Sequence, residues 1–479
     1  MKEKGKIITD KLLCAFIILC PILDMLSFIF RNIYETKISP STFLRPIISI
    51  IVIIYILLKD KNRFKIIGIG IIYGIYALIH LYIFQKIRTG CSYGNLLHEA
   101  QYVVNYTFMI LNLFIFIYKF KDSNIKNLKK SLVIAVAIYI ISIYISILTG
   151  TSSATYPVEN MGYKGWFESG NSLSAILVMS MFIILPMIKK AKNVKTKIIY
   201  LVLTTITGIF LMTQIGTRVG LYGFILVIGL YLILEILFGI IKNKKINAKT
   251  IYAGVGTLIG IIAIVVLVGS NTFIRRNHIE EVSGNSYDEN RQDVAHLTGD
   301  VLNIIKAIET NTLEEGYLNK EEKQSFLELH KISNKYELQS NDQRTHQIIY
   351  NLLLVKNQHS PILILFGNGY LNNFRELVLE MELMSFILNF GIIGFTLYVI
   401  PFLAVLIYNF IKILKNRKEL DTEYIMLFLG SGFAYVLSLL SGYVFFNSSS
   451  MIIVIVLHTC LLNKTKEIKE DKNYDGIQW

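Results

Sequence analysis

Residues 171–241 read NSLSAILVMSMFIILPMI (171–188), KKAKNVKTK (189–197), IIYLVLTTITGIFLMTQI (198–215), GTR (216–218) and VGLYGFILVIGLYLILEILFGII (219–241). The three long segments are almost wholly apolar, and each approaches or exceeds the roughly 20 residues that a helix needs to cross a bilayer. The first connection contains five lysines, whereas the second contains a single arginine. This stretch therefore predicts three consecutive membrane helices whose connections alternate between a basic side and a side poor in basic residues.

The same pattern extends over most of the chain. Hydrophobic residues make up 53% of the 479 positions and charged residues only 17%, below the roughly 25% of soluble domains. This composition excludes a disordered or fibrous chain and disfavours a soluble enzyme. Twelve apolar runs predict an all-α integral membrane protein with about twelve transmembrane helices: 12–30, 42–58, 66–84, 100–118, 131–149, 171–188, 198–215, 219–241, 250–269, 383–411, 423–441 and 443–462. The first run resembles a signal peptide but lacks a small-residue cleavage site, so we expect it to be retained.

The basic residues predict the orientation of these helices. With the amino terminus in the cytoplasm, 30 of the 48 Lys and Arg fall in cytoplasmic connections and tails, and 7 fall in short outer connections. This asymmetry predicts that both termini are cytoplasmic. It also accounts for the net charge of +14 by attraction to anionic lipids, so no nucleic-acid partner is expected. Cys14, Cys20 and Cys460 lie in apolar runs and only Cys91 in a loop, which disfavours a disulfide framework or a zinc site.

One long hydrophilic segment interrupts the apolar pattern. We therefore divide the chain into helices one to nine (1–269), an extracytoplasmic loop (270–382), helices ten to twelve (383–462) and a cytoplasmic tail (463–479). Three apolar stripes predict helices in the loop: Val294, Leu297, Val301, Ile304, Ile305 and Ile308; Phe326, Leu327 and Leu329; and Ile348, Ile349, Leu352, Leu353 and Leu354. Long loops of this kind are usually functional, although a cap that only orders the helices is the alternative.

Two arginines are candidate anion ligands. Arg218 stands in Gly216-Thr217-Arg218-Val219-Gly220 at the predicted outer mouth of a helix. It could snorkel to the interface, or its guanidinium could hold a phosphate or carboxylate. Arg344 precedes the third loop stripe, where a solvated helix start is the alternative to a ligand role.

Carboxylates near the predicted outer face are candidates for acid–base chemistry. Glu380 and Glu382 directly precede segment ten, and residues two apart do not share a helix face, so we expect one of them to point into a site. Asp24 lies inside segment one, and we expect it to pair with Arg45 of segment two. Further outward polar residues are Glu168 with Asn171, and His98 with Glu99. The run Phe366-Gly367-Asn368-Gly369-Tyr370 predicts a tight turn and not a nucleotide-binding loop.

Taken in order, these motifs resemble the O-antigen ligase and O-antigen polymerase superfamily of bacterial membrane glycosyltransferases. The resemblance covers the whole topology and is sharpest at Gly216–Gly220, at Arg344 followed by Phe366–Tyr370, and at Glu380–Glu382 leading into Asn389–Phe395. It implies a fold like that of the type C glycosyltransferases and a glycan donor on undecaprenyl pyrophosphate at the outer face of the cytoplasmic membrane. It further implies an inverting, metal-independent transfer without a cofactor.

The resemblance also implies roles for individual residues. Arg218 and Arg344 would bind the pyrophosphate, one of Glu380 and Glu382 would activate the acceptor, and Asp24, Arg45, Glu168 and Asn171 would contact substrate. Lipopolysaccharide ligases carry a histidine where this chain has Glu380-Met381-Glu382, which favours polymerase-type or Gram-positive members.

Four functions follow from these observations, in decreasing order of preference. The first is a polymerase of lipid-linked repeat units for a capsule or similar surface glycan. The second is a ligase of finished glycan onto a lipid, peptidoglycan or protein acceptor. The third is a transporter or flippase of lipid-linked sugars, and the fourth is a structural partner of other polysaccharide-assembly membrane proteins. Transport predicts charges deep in paired helices, which the outer placement of these arginines does not match.

Overall fold

A computed structural model describes residues 2–36, 39–59, 63–87, 96–120, 125–157, 159–243, 248–277, 297, 299–338, 343–370 and 377–475. The elements in chain order are α1 (Lys2–Asn32), α2 (Pro40–Lys59), α3 (Arg63–Ile87), α4 (Leu96–Phe120), α5 (Lys126–Leu148), β1 (Ser153–Tyr156), β2 (Met161–Gly165), α6 (Gly170–Lys190), α7 (Val194–Ile209), α8 (Arg218–Asn243), α9 (Ala248–Val268), α10 (Asn271–Asn277), α11 (Gly299–Glu309), α12 (Lys320–Lys335), α13 (Gln343–Asn357), α14 (Ile362–Phe366), α15 (Glu382–Tyr398), α16 (Ile400–Lys415), α17 (Thr422–Leu440) and α18 (Ser448–Asp475).

The apolar runs form the helices of a multi-pass membrane protein. Within the described ranges, nine helices are long and apolar enough to cross a membrane, and the number rises to eleven if each of two bent pairs counts as one span. One bent pair is α15 with α16, which the sequence predicts as a single span over 383–411 and which bends by 46°. The apolar part of α2, Phe43–Leu58, is shorter than the other spans. The total of twelve and the orientation in the membrane stay predictions.

One element was not expected in an all-α protein. Strands β1 and β2 form an antiparallel hairpin between α5 and α6. Gly162 and Gly165 have positive φ, and a Cβ on Gly162 would lie 2.5 Å from the carbonyl oxygen of Ile215. The hairpin therefore packs closely against the connection between α7 and α8.

The bundle has a buried centre and an exposed periphery. In α6, 89% of the most apolar window is buried inside the protein, and in α18 the share is 83%, whereas in α3 it is only 22%. Helix α6 packs against α7, α8, α17 and α18. Exposed apolar side chains on α3, such as Leu78 and Tyr82, are expected where a helix faces lipid.

Ion pairs between helix ends close one end of the bundle. Glu423 in the first turn of α17 accepts hydrogen bonds from Lys129 in the first turn of α5 and from Lys190 in the last turn of α6. Lys464 of α18 pairs with Asp421 at 3.4 Å. These lysines belong to connections that the sequence predicts to be cytoplasmic, so the predicted basic connections meet at one end.

Helix α15 is broken near its middle at Gly391, where φ is 71° and ψ is −179°. The turn Gly367-Asn368-Gly369 packs against this break, and a Cβ on Gly391 would lie 2.3 Å from the backbone of Leu365. Asn368 and Gly369 donate backbone N–H bonds of 3.0 Å to the carbonyl oxygens of Leu388 and Asn389. The segment at which the sequence predicts a tight turn, Phe366–Tyr370, therefore replaces helical hydrogen bonds that the break removes.

The long hydrophilic segment has a small core of its own. This core includes Leu297, Val301, Ile305, Phe326 and Leu354, so the predicted loop stripes pack on one another. The third stripe is wrong at Leu352, which is 52% exposed, while Tyr350 is buried instead. Val294 and Cys91 lie outside the described residues.

Candidate active site

A polar cavity of about 550 Å³ lies at the end of the bundle opposite the lysine cluster. Its lining follows α4 from His98 to Tyr106, a depth of about 12 Å at the rise of an α-helix. The cavity brings together residues that the sequence singled out and that come from distant parts of the chain: Asp24, Arg45, His98, Glu168, Glu380 and Glu382.

The predicted pairing of Asp24 with Arg45 is present at the deep end of this cavity. Arg45 Nη2 donates to Asp24 Oδ1 at 2.5 Å and also to Ser449 Oγ at 2.5 Å. The hydroxyls of Tyr139 and Ser449 donate to Asp24 Oδ2 at 2.7 and 2.5 Å. The carboxylate is therefore balanced by one guanidinium and two hydroxyls. Tyr139 and Ser449 were not predicted, because a single hydroxyl in an apolar run gives no periodic signal.

Glu382 occupies a closed environment. It is fully buried, and its carboxylate oxygens accept backbone N–H bonds of 2.8, 2.9 and 2.8 Å from Val444, Phe445 and Phe446. These three amides precede α18, where the backbone groups have no helical partners. Glu382 therefore holds the segment between α17 and α18 against the start of α15.

Glu380 occupies an open environment two residues earlier. Its side chain is 37% exposed, and its Oε2 lies 3.3 Å from Arg344 Nε, whose side chain is 47% exposed. The backbone N–H of Glu380 donates to Gln347 Oε1 at 3.1 Å. Because Arg344 and Gln347 both belong to α13, this contact joins the hydrophilic segment to the rim of the cavity.

A second ion pair lies at the rim. Arg31 Nη1 is 3.0 Å from Glu168 Oε2, and both side chains are more than one-third exposed. Burial raises the pKa of the Glu168 carboxyl, and the nearby Arg31 opposes this rise. Such an exposed pair adds little stability, so its charges are available to a ligand.

Aromatic rings form one wall of the cavity. The rings of Tyr102 and Tyr370 have centroids 4.1 Å apart, and those of Tyr106 and Phe446 are 5.2 Å apart. Tyr370 closes the turn that packs against α15, so the position of this wall depends on that turn.

A buried pair of side chains, His80 and Glu99, holds both ends of the segment Phe366–Tyr370, and the sequence did not indicate this pair. His80 Nε2 lies 2.7 Å from Glu99 Oε1, and each side chain is 1% exposed. His80 Nδ1 contacts the carbonyl oxygen of Phe366 at 2.7 Å, and Glu99 Oε2 accepts the N–H of Tyr370 at 2.8 Å. The expectation that Glu99 belongs to the outward polar set with His98 is therefore wrong, because Glu99 points into the bundle towards α3.

Three predicted site residues, Arg218, Asn171 and Arg344, do not belong to the cavity lining found among the described residues. Arg344 reaches the rim only through its contact with Glu380. Arg218 is exposed at the start of α8 and lies near the ring of Tyr156 in the hairpin. Burial raises the pKa of Tyr156, while the positive charges of Arg275 and Arg218 oppose the rise. The guanidinium carbon of Arg275 stacks 3.5 Å from the centroid of that ring.

The described residues contain no group of three or more His, Cys, Asp or Glu side chains placed to hold a metal ion. The metal independence that the resemblance implies stays a prediction.

The family model described as "O-antigen ligase like membrane protein" matches residues 6–468. Comparison with curated proteins and with solved structures finds no match. The matched range runs from α1 into α18 and includes every residue that lines the cavity. The match indicates glycan transfer in polysaccharide assembly by a membrane enzyme of the glycosyltransferase type. The chain belongs to the family of O-antigen ligase like membrane proteins.

Proposed function

We propose that this protein polymerises glycan repeat units carried on undecaprenyl pyrophosphate at the outer face of the cytoplasmic membrane. The contact between Arg344 and Glu380 carries the proposal, because it places an exposed guanidinium beside an exposed carboxylate at the rim of a polar cavity. Ligation of finished glycan is the alternative within the same enzyme class.

Glu380 is the better candidate for the acid that activates the acceptor. Its carboxylate is partly exposed and makes one ion pair, whereas both oxygens of Glu382 accept backbone hydrogen bonds. A general base must reach the proton that it removes, and Glu380 is accessible to an acceptor hydroxyl in the cavity. We assign Glu382 a supporting role in holding the wall that contains Phe446.

In the proposed reaction the acceptor hydroxyl attacks the anomeric carbon of the donor sugar from the face opposite the pyrophosphate. A carbon–oxygen bond to the acceptor forms as the bond to the pyrophosphate oxygen breaks, and Glu380 takes the hydroxyl proton. The leaving lipid pyrophosphate carries the bonding electron pair. Arg344 and Arg31 would stabilise this negative charge, and such electrostatic stabilisation is often the largest catalytic contribution.

The role of Arg218 is a separate proposal. Because it lies beside the hairpin and not in the cavity lining, it would contact the pyrophosphate from the side of β1 and β2. In that position Arg218 would bind the pyrophosphate together with Arg344 of the hydrophilic segment.

The test is the size distribution of surface glycan and of lipid-linked glycan in a deletion strain that carries wild type, Arg344→Ala or Lys356→Ala. Lys356 lies on the same helix as Arg344, α13, and pairs with Glu328 of α12. Its side chain is 64% exposed, and it serves as the matched control. We expect wild type and Lys356→Ala to restore long chains and Arg344→Ala to leave single lipid-linked repeats.

Other outcomes separate the alternatives. Long chains that stay on the lipid carrier in the deletion strain would indicate a ligase. Unchanged pools in the deletion strain would contradict the enzyme proposal for that glycan and favour transport or a structural role. Full restoration by Arg344→Ala would remove Arg344 from the mechanism.

A further inference from the structure

The deep end and the rim of the cavity differ in how their charges are arranged. At the deep end, Asp24 and Arg45 are paired, and the Arg45 side chain is only 7% exposed. At the rim, the side chains of Arg31 and Arg344 are each 47% exposed. The two ends therefore suit different parts of one ligand.

Arg45 has hydrogen-bond donors that the protein does not use. A guanidinium has five N–H donors. The two bonds that Arg45 donates to oxygen come from Nη2, and the buried Cys20 thiol is a further hydrogen-bond partner of the same side chain. The Nε–H of Arg45 is buried and has no hydrogen-bond partner within the described part of the chain. The rest of the guanidinium borders the cavity, so a ligand there that offers acceptor oxygens can bond to donors of Arg45 that the protein leaves unused.

The ligand at this position should not be an anion. Asp24 accepts bonds from Arg45, Tyr139 and Ser449 and already neutralises the guanidinium. An added phosphate or carboxylate would face the Asp24 carboxylate at low local dielectric, where repulsion is strong. An uncharged hydroxyl group can accept from Arg45 and donate to a remaining lone pair of Asp24.

The adjacent surfaces suit the apolar faces of a sugar ring. Tyr139 and Phe167 have ring centroids 5.0 Å apart beside Asp24, and both rings line the cavity. Binding sites commonly combine aromatic surfaces with a few well-placed polar groups that fix orientation. Only 2% of Tyr139 and 4% of Phe167 is exposed, so the C–H groups of a pyranose could contact the parts of these side chains that border the cavity while its hydroxyls reach Arg45 and Asp24.

We propose that the deep end binds an uncharged, hydroxyl-rich sugar ring of the glycan, while the phosphates of the lipid carrier stay at the rim beside Arg31 and Arg344. This inference rests on the proposed function, because it divides one lipid-linked substrate between two ends of the same cavity.

The test compares two probes on the purified full-length protein in lipid nanodiscs. The first probe is undecaprenyl pyrophosphate without sugar, and the second is the lipid-linked glycan extracted from the deletion strain. The double variant Asp24→Asn/Arg45→Gln removes both charges together and so avoids leaving one buried charge unpaired. We expect it to bind the second probe about tenfold more weakly, since bonds to charged groups are lost, and the first probe as wild type does.

Two further variants keep the test informative. Ser449→Ala keeps the ion pair and removes one hydroxyl. It should weaken binding of the lipid-linked glycan, by a smaller factor than the double variant, and leave binding of undecaprenyl pyrophosphate unchanged. It therefore tests the proposal even if the double variant does not fold. Arg31→Gln at the rim should weaken both probes by the same factor. Equal weakening of both probes by Ser449→Ala and by the double variant, or no weakening by either, would overturn the division of the cavity.

The remaining outcomes concern charge and the proposed function itself. Mass spectrometry of the extracted glycan should show at least one sugar ring without an ionised group, and a repeat whose every ring is anionic would contradict the inference. Failure of the wild-type protein to bind either probe would instead contradict the proposed function.

Discussion

The two ends of the bundle both contain buried ion pairs, but the pairs are arranged differently. At one end, the buried Glu423 pairs with the buried Lys129 and with the half-exposed Lys190, and all three charges are used within the protein. At the other end, Asp24 and Arg45 border a cavity of about 550 Å³, and Arg45 retains unused donors. A closed cluster joins helices, whereas a paired but unsaturated cluster beside a cavity can also bind a ligand.

The largest effect on stability should come from opening the closed cluster. Glu423→Ala leaves Lys129, whose side chain is 11% exposed, without its counter-charge, and breaking a buried pair in this way costs about 3–5 kcal/mol. We expect a marked fall in the melting temperature of the detergent-solubilised protein. Glu467→Ala removes a 53% exposed partner of Lys464 and should change the melting temperature little; equal losses in both variants would contradict the comparison.

A somewhat smaller effect is expected where the hydrophilic segment meets the bundle at the cavity end. Gly391→Ala places a Cβ 2.3 Å from the backbone of Leu365 and requires φ of 71° at a non-glycine residue. A non-glycine residue in this backbone conformation costs about 1–3 kcal/mol. Relief of the contact with Leu365 adds to that cost and would shift the turn that carries Tyr370. We expect lower thermal stability together with lower glycan production.

The matched control for that change is Gly432→Ala in α17. A Cβ at Gly432 meets nothing within 4 Å, and alanine is favoured over glycine in a helix. Its stability should therefore be equal to or above that of wild type. A loss as large as that of Gly391→Ala would show that the close approach at Gly391 is not the cause.

Glu382→Gln should lower the free energy of unfolding less than Glu423→Ala or Gly391→Ala does. The amide keeps one acceptor oxygen but replaces the other with a donor, which faces the backbone N–H groups of Val444, Phe445 or Phe446. Loss of such bonds typically costs about 1–3 kcal/mol. We expect a moderate drop in melting temperature, and an unchanged melting temperature would contradict the supporting role of Glu382.

Glu380→Gln should have the smallest effect on stability and a large effect on turnover. Its ion pair with Arg344 is exposed and therefore worth at most about 1 kcal/mol. Loss of a general base typically slows a reaction by about 10²- to 10⁴-fold. Single-turnover transfer with membranes of matched protein content measures this effect, and unchanged turnover would reject Glu380 as the base.

Much of the fold could be predicted because long apolar runs in the sequence indicate membrane helices. The run at 171–188 became α6, which lies at the centre of the bundle. The same rule could not predict the bend between α15 and α16 or the break at Gly391, since both lie within one continuous apolar run. The short hairpin of β1 and β2 carries too few residues for a clear alternating pattern.

The candidate site was predictable where charged or polar residues stood inside apolar runs or at their outer ends, as His98, Glu168, Glu380 and Glu382 do. Asp24 and Arg45 stood out because charged residues are rare in apolar segments, and their pairing is confirmed. Ser449 lies 404 residues from Arg45, and neither its hydroxyl nor that of Tyr139 is unusual in a membrane helix. His80 was overlooked for a similar reason, because its partner Glu99 follows a polar loop and had a simpler interpretation at the surface.

The break in α15 also has a consequence for how the chain enters the bilayer. Because helical hydrogen bonding is interrupted at Gly391, the carbonyl oxygens of Leu388, Asn389 and Phe390 accept hydrogen bonds from Asn368, Gly369 and the Tyr76 hydroxyl. Alone in hydrocarbon, those carbonyls would be unsatisfied at a cost of several kcal/mol each. The order of biogenesis is therefore constrained: α15 reaches its final depth only after α3 is in place and together with the turn that precedes it. Chains released from the insertion machinery before that docking should be the ones that quality-control proteases remove.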